Sequence, residues 1–126
     1  MSLIEVLTAV LIFSLGILGL VGLQARATQF SVSAEDTNRA ALLASELVTT
    51  LWLNQQAPGA GPVLPPEALA AWTAQVADPA AGGLPNGVGD VVIKGEQVDI
   101  TLTWKSPNAA TADPVNRYST QVRIRW

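Results

Sequence analysis

Residues 1–23 read MSLIEVLTAVLIFSLGILGLVGL, and one side chain in that run is out of keeping with the rest. Between Ser2 and Leu23 only Glu5 carries a charge. From Leu3 to Leu23 the segment has the length to cross a hydrocarbon core as a helix, which takes roughly 20 apolar residues. No basic stretch leads into it and no small-residue cleavage pattern follows, so it does not read as a cleavable signal peptide. An ionised carboxylate in such company is costly unless paired, and otherwise tends to take up a proton. The plainer alternative is a carboxylate near a membrane boundary that snorkels to water.

The helical period outlasts the apolar run. Leu20, Leu23, Ala27, Phe30, Ala34, Thr37, Ala41, Ala44, Val48 and Leu51 recur at spacings of three and four, and no proline intervenes before Pro58. One helix from about Leu3 to about Leu53 is therefore expected, on the order of 75 Å long at ~1.5 Å per residue. That is too long for a compact domain of this size, so part of it is expected to extend beyond the head. Residues 3–23 are apolar on all sides, which suits lipid or the interior of an assembly. Residues 24–39 are mixed, with Glu35 or Asp36 placed to pair with Arg39. From Ala40 to Trp52 the apolar face widens to Leu42, Leu43, Leu47, Val48, Leu51 and Trp52, where a head should dock. Gly16, Gly19 and Gly22 fall every third residue on nearly one side, each costing about 1 kcal/mol against Ala. They suit close packing of helices, or a weak point at which the helix stretches.

Composition narrows the function. The 126 residues carry seven Lys and Arg against ten Asp and Glu, a net charge of -3. The basic residues are scattered singly, leaving no stripe for a nucleic acid backbone, so no nucleic acid partner is expected. There is no Cys, hence no disulfide or thiolate chemistry, and no His, the commonest general base and metal ligand.

After Trp52 the pattern changes. NQQAPGAGPVLPP (54–66) reads as a loop, and Pro66-Glu67 starts a helix to about Ala77 that buries Leu69, Trp72 or Thr73, and Val76. A second loop, AAGGLPNGVGD, precedes a switch to period two. Val91 and Ile93 alternate with Val92 and Lys94, and Gly95-Glu96 makes a turn. Val98, Ile100, Leu102 and Trp104 alternate with polar residues, as do Tyr118, Thr120, Val122, Ile124 and Trp126. The expectation is an α+β head, an antiparallel meander of 3–4 strands closed by the Leu42–Trp52 face of the long helix.

SLIEVL followed by an apolar run resembles the start of mature type IV pilins and pseudopilins, with Met1, Ser2, Leu3, Ile4 and Glu5 filling the family pattern in order. GILGLVGLQARA is similar to the PilV-type minor pilins, and LPNGVGDV with the strand ending in Trp is a looser likeness to them. The resemblance implies a ladle fold: a long N-terminal helix whose second half packs on a small sheet. It implies a leader removed by a prepilin peptidase, with Met1 as the mature, N-methylated residue. It implies that Glu5 meets the N-terminal amine of an adjoining subunit during assembly. The implied function is a structural subunit that primes or tips a type IV pilus and has scope for adhesion through head loops. Implied partners are other minor pilins, the major pilin, the inner-membrane pilus assembly platform and, before assembly, membrane lipid; the implied locations are the bacterial inner membrane and then the surface filament. Two departures stand out. The C-terminal loop has no disulfide to close it, and Gly22 stands where many pilins have a helix-bending proline.

Several other features are set aside. The Gly-rich stretches at 59–61 and 82–83 lack the lysine and context of a phosphate loop. Asp90, Glu96 and Asp99 match no calcium-loop spacing. Trp52, Trp72 and Trp104 fall on faces expected to be buried, and terminal Trp126 is the one left to present itself. No catalytic residue, metal or cofactor is assigned, and no enzymatic activity is expected. The rival readings are a minor pseudopilin of type II secretion, a major pilin and, from a different class, a membrane-anchored periplasmic binding domain that never polymerises.

Overall fold

A computed structural model describes residues 2–55, 57 and 59–125. The chain divides into two units, residues 1–35 and 36–126. The first is helix throughout from Leu3, and every residue from Ser2 to Glu35 is exposed. That helix, α1, runs unbroken over Leu3–Leu53, the bounds the periodicity gives. It is long and apolar enough to cross a membrane. Thr8 and Ser14, hydroxyls within the apolar run, bond back to main-chain carbonyls: Thr8 Oγ1 to Ile4 O at 2.9 Å, Ser14 Oγ to Val10 O at 2.7 Å. Their polar groups thus need nothing from the surroundings.

In the second unit the C-terminal part of α1 packs on a three-stranded antiparallel sheet of order β1-β2-β3, formed by Val88–Lys94, Gln97–Trp104 and Asn116–Arg123. A second helix, α2, spans Pro66–Ala77, and a short 3-10 turn covers Pro79–Ala81. The core joins Ala40, Leu43, Ala44, Leu47 and Leu51 of α1 to Val98, Ile100, Leu102 and Trp104 of β2, with Trp72, Val76, Leu84 and Ile124 closing it. Each large aliphatic side chain so buried contributes about 1.5–3 kcal/mol. β2 alternates half-buried and buried residues along its whole length, as expected of a strand with one face on a core.

Three expectations are corrected. The docking stripe on α1 is narrower than the apolar run: Leu42 is 70% exposed and Trp52 47% exposed. The sheet covers one side of the helix, and these two side chains point away from it. The first strand begins at Val88, not Val91. Gly89 lies flat beneath the Trp72 ring, where an added Cβ would overlap the indole, so the glycine is occupied space and not a break. The last strand ends at Arg123, short of Trp126. Ile124 stays buried and its N–H donates to Glu96 O at 2.8 Å, so the alternation outlives the ladder.

Loops are closed by main-chain bonds and by side chains that bond to the main chain. Leu84-Pro85-Asn86-Gly87 forms a tight turn, with Gly87 N–H donating to Leu84 O at 3.0 Å and Asn86 at φ +50°. Proline second and asparagine third suit a type II turn. Lys105 N–H donates to Pro85 O at 3.1 Å, pinning this turn to the end of β2. The loop between β2 and β3, which has no disulfide, is tied by Lys105 Nζ to Thr111 O at 2.9 Å and by Ala110 N–H to Asp113 Oδ2 at 2.8 Å.

Candidate functional site

Glu5 occupies the first turn of α1, where a negative charge favours the helix dipole. Its own N–H donates to Ser2 O at 3.1 Å and lies 3.4 Å from Ser2 Oγ. Ser2 and Glu5 therefore fill the first and fourth places of the Ser-x-x-Glu pattern that starts helices, with the Ser2 half of the box formed and no bond from the Glu5 carboxylate back to Ser2 N–H among the described residues. The sequence carries that signal openly as SLIE. Glu5 thus has a local reason to be a carboxylate, its place in the first turn of the helix, independent of any neighbour. Met1, the expected amine partner and site of methylation, lies outside the described residues, as does Trp126.

Gly16, Gly19 and Gly22 sit within unbroken helix, and a Cβ added at any of them meets nothing within 4 Å. Within this chain no neighbour demands glycine there. Any pressure for small residues comes from other helices or from the backbone itself.

The head's polar groups are largely committed to each other. Asp99 accepts from Gln97 Nε2 at 2.9 Å and from Lys94 Nζ at 3.3 Å. The Gln97 hydrogen bond, followed by the Lys94 bond and charge and a bond from Gln121, holds its carboxyl below the usual aspartate range against a smaller opposing effect of desolvation. Glu96 pairs with Arg125 Nε at 3.2 Å. Asp90, Glu96 and Asp99 do not converge, and no group of three metal-ligating side chains occurs among the described residues. Gly59, Ala60 and Gly61 line a depression of about 280 Å³ with Gly95, Glu96 and Ile124. Its charged lining residue is a carboxylate, which repels the phosphate a glycine-rich loop would otherwise suggest.

Two tryptophans expected in the core are there. Trp72 donates from Nε1 to Leu43 O at 2.9 Å, a bond from α2 to the C-terminal part of α1. Trp104 is buried with its Nε1 unbonded among the described residues. Gln75 Nε2 to Glu46 Oε2 at 3.1 Å adds a second link between the helices at the surface. Comparison with known proteins supplies no relative: no family model, no curated protein and no solved structure matches this chain.

Proposed function

We propose that this protein is a filament subunit of the type IV pilin kind, most like a PilV-type minor pilin. Residues 3–23 hold it in the bacterial inner membrane before assembly and lie among the helices of other subunits afterwards. The observation that carries the reading is a single helix that is apolar on all faces over residues 3–23 apart from one carboxylate, and whose later turns bury a stripe in an α+β head. Apolar side chains exposed from Leu3 to Leu23 need lipid or other apolar helices around them.

In this mechanism Glu5 pairs with the amine of Met1 on the adjoining subunit. Two charges held where water is scarce attract strongly, and removing one leaves the other buried alone, at a cost of roughly 3–5 kcal/mol. Glu5 acts as an assembly register. Prepilin peptidase exposes the amine, and the assembly platform, the major pilin and other minor pilins receive the subunit.

The capping box makes the choice of variant decisive. Glu5→Gln keeps an N3 residue able to serve the box and removes the charge. In cells with a working pilus machine, Glu5→Gln and Glu5→Ala should both remain in the membrane fraction and be absent from sheared filaments. Ser2→Ala should lose about 1 kcal/mol of capping and still assemble. Entry of Glu5→Gln into filaments at the wild-type level would reduce Glu5 to a helix cap.

A further inference from the structure

The sheet has two unlike edges. β1 lies beside α2, whose Trp72 ring rests on Gly89. β3 has β2 on one side and no strand on the other. Among the described residues, no hydrogen bond from outside the β2 ladder reaches the backbone of residues 117–123. One row of its N–H and C=O groups is thus open to a further strand.

A groove of about 370 Å³ runs along that edge. Ala44, Ser45, Val48 and Thr49 of α1 form one wall, and Tyr118, Thr120 and Val122 of β3 form the other. The helix wall is made of small side chains, which leaves the room. Val48, Tyr118 and Val122 are only partly buried against the core, so apolar surface remains to be covered.

The opposite face of β3 carries Arg117 and Arg123 near its two ends. Their cross-strand neighbours on β2 are Thr103 and Gln97, not carboxylates. From Pro114 to Arg125 the chain has three arginines and no acid, and of these Arg125 is engaged by Glu96. That charge selects among occupants. Pairing β3 antiparallel to β3 of a second copy, with groove-facing residues kept over the groove and overlap at its greatest, sets Arg117 opposite Arg123 at both ends. Like charges directly opposed across strands are destabilising. The edge therefore resists its own copy and favours an acidic strand.

We propose that the free edge of β3 is a strand-addition site for an extended segment of another polypeptide in which apolar and acidic side chains alternate. Its apolar side chains would fill the groove over Val48, Tyr118 and Val122. Its carboxylates would stand beside Arg117 and Arg123, and main-chain bonds to β3 would supply sequence-independent affinity. The site lies wholly within residues 36–126 and does not depend on the assembly role of Glu5.

The test uses the full chain in detergent micelles and two blocked peptides, EVEVEVE and KVKVKVK, read by amide hydrogen exchange. Saturating EVEVEVE should slow exchange at alternate β3 residues by on the order of tenfold or more, and KVKVKVK should not. The double variant Arg117→Glu, Arg123→Glu should invert that preference. Ser45→Trp, a change at an exposed helix position that fills the groove, should abolish protection by EVEVEVE while leaving the β2 amides as slow as before. Equal protection by both peptides, protection of β1 instead of β3, or undiminished binding to Ser45→Trp would each overturn the proposal. So would β3 protection that rises with protein concentration in the absence of peptide, which would make a second copy the occupant.

Discussion

At the scale of single residues, the head depends on a few close approaches that composition conceals. Gly89 has the Trp72 indole against it, and the same indole donates to the Leu43 carbonyl. A methyl group at position 89 forces the ring off its seat and strains that bond. Gly89→Ala should therefore destabilise the head by about 1–3 kcal/mol, the usual cost of overpacking a tight site, and lower its urea midpoint. An unchanged midpoint would mean the ring moves freely. Sequence reasoning placed Trp72 and Trp104 in the core from their phase on the helix and strand. It could not place Trp52 outside, because whether an apolar residue at the edge of a stripe is covered depends on the width of the sheet opposite. Nor could it find Gly89 in a strand, since a glycine there reads as a break until the ring that fills its place is known.

Secondary-structure elements were more legible. The bounds of α1 and α2 follow from period, from Pro58 and Pro66, and from Asp78-Pro79, local signals that tertiary contacts leave intact. The strands were found by alternation, but their ends were set by partners: β1 extends to Val88 because Thr103 pairs with it, and β3 stops where Gln97 runs out. The Ser-x-x-Glu start signal at Ser2 and Glu5 is likewise local and legible in the sequence. Within α1 the glycine series invites a direct measurement. Replacing Gly16, Gly19 and Gly22 together by Ala meets no steric obstacle within the chain. It should favour the helix by about 1 kcal/mol per site. Amide exchange of residues 12–26 in micelles should then slow relative to the wild type. If the rates are equal, the glycines serve contacts between helices and not a soft point in this one.

At the scale of the whole molecule, the pH response of stability has a definite sign. The Asp99 carboxyl is held below its ordinary range chiefly by Gln97, with Lys94 and Gln121 assisting. A depressed folded-state value means the contribution is fully present above the unfolded aspartate value of about 3.9. It fades as pH falls through the lower folded value. Asp99→Asn should lower the head's stability slightly at neutral pH and leave it nearly unchanged well below about pH 4, so that the acid limb flattens. An acid limb identical to the wild type would assign that limb to other carboxylates. The α+β layout of the molecule was readable because helix phase and strand alternation each left one apolar face to be matched. The open edge of β3 was not, since the sequence admits a fourth strand as readily as three. One last consequence lies in the tryptophans. Trp72 is clamped between two helices and a glycine, Trp104 is sealed in the core, and Trp52 meets solvent, so the protein carries its own optical gauge. Ultraviolet-excited emission should shift to the red as the head loosens, while a quencher added to the intact protein should dim the Trp52 signal before those of Trp72 and Trp104.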